Sequence, residues 1–239
     1  MHPFLLQGKK RYAAVKFEGN MDKGKVSYSG LEVVRRDNCP LLKTIQTDFF
    51  KHLLEDIDPN GAATSLLNHI QNLMAGKVSF EDLTISKNLS KLKYAGNQIH
   101  VSLNERIRAR TPALAYSVGS RIPYVVVTGR GELYERGEDP VYAKEHCYPI
   151  DKNYYFQKQI VGPMMRLMTP LFGFANAKLF FERSRGTGLH THFSTSHSNW
   201  IPPILGDTDT AIREIKKKVK RDPDVQTSTL HSFFKPSKK

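Results

Sequence analysis

Apolar residues fall first in short runs and then at helical spacing, and this change of period divides the chain into two kinds of structure. Residues 4–7 and 12–18 read as strands. The segment 19–30, GNMDKGKVSYSG, carries three glycines with turn-forming Asn and Asp, which predicts a β-hairpin. LEVVRRD (31–37) either continues as strand or leads into a turn, and Pro40 closes that unit. From Leu41 the spacing becomes helical: Leu41, Leu42, Ile45, Phe49, Leu53 and Leu54 lie on one face, ending near Asp58-Pro59. Asn60 is the expected N-cap of a second helix, with Gly76 as its stop. Residues 80–85 are a short connection or strand. A third helix covers 98–109, and IPYVVVTG (122–129) is a buried strand. Helices at 139–147 and 151–168 follow, the second kinked at Pro163. These elements predict an α+β fold: a β-hairpin region, then a mainly helical region with a small β element, then a basic tail.

Beyond Arg183 the texture is that of a linker rich in Ser, Thr, Gly and His. DTDTAIREIKKKVKR (207–221) predicts a short basic helix, with Asp at its start and lysines toward its end as a helix dipole favours. His190, His192 and His197 sit in the linker without an evident fourth ligand, so they read as polar linker and not as a metal site. Two cysteines, Cys39 and Cys147, are too few for a disulfide scaffold or a paired-cysteine zinc site and suit a reducing, intracellular compartment. The start, MHPFLLQGKKRY, lacks the apolar stretch of a signal peptide, and no run approaches the roughly 20 apolar residues of a membrane span.

Charge narrows the class of partner. Lys and Arg number 36 against 23 Asp and Glu, a formal net charge of +13, which points to a polyanion and first of all to nucleic acid. Residues 183–239 hold 11 basic and 5 acidic groups, so both parts of the chain are basic and the tail is the denser. Lys9, Lys10 and Arg11 are consecutive cations that open the predicted strand. Strand geometry sends alternate side chains to opposite faces, Lys9 and Arg11 to one, Lys10 and Tyr12 to the other. Such cations neutralise phosphates, and Arg also reaches minor-groove acceptors, while Tyr12 can pack beside a sugar. A solvated charge run is the structural alternative.

KKRYAAVKFEG (9–19) followed by SGLEVVRRDNCPLL (29–42) resembles the Lys-Lys-Arg-Tyr and Gly-Leu-Glu-x-x-Arg-Arg-Asp motifs of family B DNA polymerases, in particular the eukaryotic delta group and those of large DNA viruses. The stretches 95–127 and 138–173 are similar to the thumb and last helical region of the same enzymes, so the resemblance keeps order and spacing over about residues 3–175. It implies a C-terminal piece of a DNA-directed DNA polymerase: the end of the palm over 1–40, a thumb over 41–183, a linker with a short basic helix over 184–224 and a clamp-binding tail over 225–239. It further implies that Lys9, Lys10, Arg11 and Tyr12 hold primer-template DNA behind the growing end. For Arg35 and Arg36 beside Asp37, one arginine in an internal ion pair and one near DNA is the expectation, and Ser29 stands where relatives commonly carry Lys. The thumb side that wraps duplex would use Lys87, Lys91, Lys93, Tyr94 and Asn97, with Asn88, Gln98, Arg106, Arg108, Arg110 and Arg121 as further candidates.

Catalysis by this family needs Mg2+ held by aspartates in motifs upstream of Lys-Lys-Arg-Tyr, and neither motif occurs here. GDTD (206–209) lacks the preceding Tyr, and Asp207 reads as a helix N-cap. The implied partners are primer-template DNA, an upstream polymerase half carrying exonuclease, fingers and catalytic palm, and a sliding clamp, at a nucleus or viral replication site. TSTLHSFF (227–234) resembles the clamp-binding peptide through Leu230, Phe233 and Phe234, with Thr227 where Gln is usual. A split gene or a truncated fragment accounts for the missing motifs. The rival reading is a polymerase-derived DNA-binding or clamp-binding protein without a catalytic partner.

Overall fold

The computed structural model describes residues 3–17, 24–91 and 94–184. In chain order it runs β1 (Phe4–Gly8), β2 (Arg11–Lys16), β3 (Lys25–Ser29), α1 (Pro40–Leu54), α2 (Pro59–Ala75), α3 (Phe80–Leu83), β4 (Ile85–Asn88) and α4 (Ile99–Arg110). Then follow β5 (Arg121–Val126), β6 (Gly137–Glu138), α5 (Pro140–Glu145), α6 (Lys152–Tyr154), a π-helical stretch (Tyr155–Val161), α7 (Gly162–Phe172) and α8 (Phe174–Ser184). The α+β expectation holds.

Two compact units share the chain. One takes the chain up to Leu31, Phe50–Ala62 and the chain from Pro163; the other takes Glu32–Phe49 and Ala63–Gly162. These units do not follow a single linear boundary at residue 40, because α1 and α2 each contribute to both.

In the first unit β1-β2-β3 form an antiparallel sheet with β2 central. Ala13, Ala14 and Val15 are buried in succession, so neither face of β2 is solvated there. Tyr28 of β3 meets Phe50 with ring centroids 5.6 Å apart. Met164, Leu167, Met168 and Leu171 of α7 are buried at i, i+3, i+4, i+7, and Ala177, Phe180, Phe181 and Ser184 repeat that stripe on α8. Each large apolar side chain so buried contributes roughly 1.5–3 kcal/mol before entropy. Helix α8 was not among the expected elements. Gly173, in the left-handed region at φ 82°, ends α7 and lets the second stripe begin.

In the second unit β4 and β5 pair antiparallel, Ile85 opposite Tyr124 and Asn88 opposite Arg121, and β6 adds two residues on the other side of β5. The core takes Leu42, Ile45 and Phe49 from α1, Leu66, Ile70 and Leu73 from α2, and Leu103 and Ile107 from α4. Tyr155 is buried in the π stretch, and its hydroxyl accepts the Val126 N–H at 3.0 Å, holding that stretch to the end of β5. Proline shaped the helix borders differently from expectation. Pro40 opens α1 instead of closing the preceding segment, and Pro59 opens α2, where a missing N–H costs nothing. The Asp58 carboxylate, not Asn60, caps α2 by accepting the Gly61 N–H at 2.9 Å. Pro163 sits in the first turn of α7, directly after the wider π turns, instead of interrupting an α-helix.

Candidate nucleic-acid interface

Lys9 and Lys10 do not open a strand. They form the two-residue turn between β1 and β2, Gly8 pairing with Arg11 across it. Lys10 takes φ 61°, in the left-handed region that residues other than glycine adopt uncommonly. Its neighbours come from the second motif. Ser29 Oγ donates to the Lys10 carbonyl at 3.4 Å, and Gly30, at φ 62°, lies so close that a Cβ would come within 2.3 Å of the same oxygen. Tyr12 pairs with Ser29 across the sheet. The two motifs, separated in sequence, are thus one device: the glycine of the second lets the turn of the first form. Lys9 and Lys10 are exposed, Arg11 and Tyr12 half-buried. Strand alternation therefore governs only Arg11 and Tyr12, and the expected facing of Lys9 and Lys10 is replaced by a shared turn.

The Arg35-Arg36-Asp37 segment lies in the second unit. A short 3-10 turn, Glu32–Val34, replaces the strand alternative, and Glu32 is buried, accepting from the Gln46 amide at 3.2 Å. Arg35 clasps Asp37 with two bonds of 3.1 and 3.2 Å, and this hydrogen bonding holds the Asp37 carboxyl below the usual carboxylate range. The pair is exposed, worth less than about 1 kcal/mol. Arg36 keeps an exposed side chain with no ion-pair partner among the described residues, while its carbonyl accepts from Arg121 at 2.9 Å.

The structure brings Arg35–Asp37 beside β4 and the start of β5. Lys87 lies on β4 and adds to the field that holds Asp37 ionised. Arg121 also donates to Ser86 Oγ at 3.1 Å and to the Ser86 carbonyl, so its fork ties two backbone segments together. Asn88, at the end of β4, turns its amide toward the carbonyls of Gly119 and Ser120. The polar segment expected around 87–98 therefore begins inside β4, which holds Lys87 and Asn88. Lys91 places its ammonium 5.4 Å from the centre of the Tyr94 ring, and the Tyr94 hydroxyl bonds Ser90, which lowers its proton affinity. Asn97 and Gln98 precede α4 and are exposed. Lys93 lies outside the described residues, as do His190, His192, His197, Asp207 and its predicted helix, and Thr227, Leu230, Phe233 and Phe234.

Helix α4 corrects the arginine inventory. Glu138, buried on β6, accepts from Arg110 at 2.7 Å and faces Arg106 at 3.7 Å. Arg106 also donates to the Gly137 carbonyl, and Arg110 stacks 4.0 Å from the Tyr142 ring centre. Arg106, Arg110 and Arg121 are thus engaged internally, and of the four candidates only Arg108 has neither an ion-pair nor a side-chain hydrogen-bond partner among the described residues. Glu32 and Glu138 are the site-bearing residues that motif reading passed over.

Among the described residues no group of three or more His, Cys, Asp or Glu could hold a metal ion, and no helix is long and apolar enough to cross a membrane.

A family model described as DNA polymerase family B matches residues 1–171. The chain is 38% identical over 208 residues to the DNA polymerase delta catalytic subunit of Bos taurus, covering 85% of this chain and 18% of that protein. It is 37% identical over 211 residues to the protein of the same name from Mesocricetus auratus, covering 86% and 19%. Among solved structures, the family B DNA polymerase from the hyperthermophilic archaeon Pyrobaculum calidifontis superposes with a TM-score of 0.54 at 25% identity, over 68% of this chain and 21% of that one. The chain therefore spans about a fifth of the length of the proteins it matches.

Proposed function

We propose, from the premise that this chain belongs to DNA polymerase family B, that it is the C-terminal part of a DNA-directed DNA polymerase and grips primer-template duplex during replication. Residues 1–40 supply the end of the palm and 41–183 the thumb. The observation that carries the reading is the Lys9-Lys10 turn, two exposed ammonium groups on a backbone held by Ser29 and Gly30 and followed by Arg11 and Tyr12. Ammonium groups on a fixed turn neutralise phosphates without reading sequence, as a replicative enzyme needs. Arg36, Lys87, Lys91, Tyr94 and Asn97 serve as further contacts, and Lys93 joins them from the sequence alone.

The catalytic aspartates and the Mg2+ they hold belong to an upstream polymerase portion, at a nucleus or viral replication site. Thr227, Leu230, Phe233 and Phe234 tether a sliding clamp, which raises processivity through effective concentration. Mixing the full chain with a portion carrying exonuclease, fingers and catalytic palm is expected to restore primer extension. Duplex affinity should fall steeply with salt, and a flat salt dependence would overturn the assignment of phosphate contacts.

A further inference from the structure

Two positions in the sequence put a hydroxyl residue directly before a proline, Thr111-Pro112 and Thr169-Pro170. Proline-directed protein kinases read such a step, because proline lacks the N–H that any other residue would leave to be satisfied in the kinase cleft. The sequence alone does not separate the two steps; the fold does. Thr169 lies inside α7, between buried Met168 and Leu171, and its carbonyl accepts the Gly173 N–H at 2.9 Å. A kinase engages extended backbone, so presenting the Thr169 hydroxyl means unwinding α7 from the core.

Thr111 is placed differently. It ends α4 at φ −146° and ψ 87°, outside helical geometry, as suits a residue before proline. All seven residues from Arg108 to Leu114 are exposed, the longest such run among the described residues, so both flanks of the hydroxyl are open. The Thr111 side chain makes no capping bond to the 3-10 turn Pro112–Leu114 that follows. The segment is nonetheless held at its base. The buried Asn104 amide donates to the Tyr116 carbonyl at 3.0 Å, and its oxygen accepts the Tyr116 N–H at 2.8 Å. A phosphate here also finds a partner. Arg108, three positions before Thr111 on the last turn of α4, is the arginine of that helix left unengaged, whereas Arg110 is taken by Glu138 and Tyr142. Residues three apart on a helix are neighbours, and a guanidinium meets phosphate oxygens with two parallel bonds.

We propose that Thr111 is a phosphorylation site for a proline-directed protein kinase, and that Arg108 holds the phosphate it receives. Thr111 Oγ1 attacks the γ-phosphorus of ATP. The bond from that phosphorus to the β–γ bridging oxygen breaks, ADP leaves with the electron pair, and the hydroxyl proton passes to the kinase's aspartate. The product carries a charge of roughly −2 at the C-terminal end of α4, which the helix dipole opposes unless a cation meets it. Arg108 supplies that cation, so the modification withdraws from the surface the one α4 arginine that the fold leaves free. The proposal stands independently of the duplex reading.

The test is incubation of the full chain with Mg-ATP and a purified mitogen-activated protein kinase. Mass spectrometry locates the modified residue, and nitrogen-15 NMR follows the arginine Nε–H groups. Phosphate is expected at Thr111, entering at least about tenfold faster than at Thr169, which waits on local unfolding of α7. Thr111→Val should abolish that incorporation while melting like the parent, which separates loss of the acceptor from loss of the fold. On phosphorylation the Arg108 Nε signal should shift, and that of Arg110 should stay where Glu138 holds it. No phosphate at Thr111, or equal rates at the two threonines, overturns the site. Phosphate at Thr111 with an unmoved Arg108 signal overturns the assignment of its partner.

Discussion

At the tip of the β1–β2 hairpin, the backbone is constrained and the side chains are not. Ser29 and Gly30 hold Lys10 in a left-handed turn, yet Lys9 and Lys10 stand exposed, without ion-pair partners among the described residues. On α4 the arrangement is reversed. Its backbone is an ordinary helix, but Arg106 and Arg110 turn inward onto buried Glu138, the Gly137 carbonyl and the Tyr142 ring. Both regions carry cations that a count of charge treats alike. The difference lies in whether an acceptor within the fold already occupies them. A guanidinium with five donors bridges backbone and carboxylate inside a fold, whereas a flexible, strongly hydrated ammonium on a turn stays available to a phosphate. Net charge therefore announces a polyanion partner without saying which cations meet it.

Breaking the α4 side of this contrast should have the largest effect. Glu138→Ala leaves two arginines without their buried counter-charge and should cost about 3 kcal/mol, lowering the thermal midpoint by about 10 °C. A melt like the parent's would mean that Arg106 and Arg110 are exchangeable with the solvent-facing set. At the hairpin, Gly30→Ala forces a Cβ toward the Lys10 carbonyl at a positive φ and should cost about 2 kcal/mol, again read by melting. Replacing Lys9 and Lys10 together by Ala should leave stability within about 0.5 kcal/mol. Duplex affinity should nonetheless drop on the order of tenfold at 0.1 M salt, with the log–log salt slope shallower by about 2. The smallest effect is expected from Arg121→Lys, which keeps the charge but cannot span the Ser86 and Arg36 carbonyls. It should cost about 1 kcal/mol of stability and leave the salt slope unchanged.

Much of this molecule was legible in its local patterns. Helical spacing from Leu41 located α1 and α2, β-branched residues located β5, and the paired motifs at 9–12 and 29–37 identified the family. Local patterns work where the cause is local: a repeat of 3.6 or 2 residues dictates which side of an element meets the core. The same reasoning failed at Lys9 and Lys10, because strand alternation cannot show that a glycine 20 residues away makes room for a turn. It missed α8 for lack of a boundary signal other than Gly173.

What the sequence by itself determined is therefore the kind of elements, their approximate order, the basic character and the family. Only the tertiary structure decided which cations are committed. Arg110 meets Glu138 across 28 positions, and Arg121 meets the Arg36 carbonyl across 85. The choice between Thr111 and Thr169 likewise follows only from where α4 ends and which side of α7 is buried. The physical reason is that hydrogen bonds and charge pairs depend on separation in space, and separation in space between distant residues exists only once the chain has closed on itself.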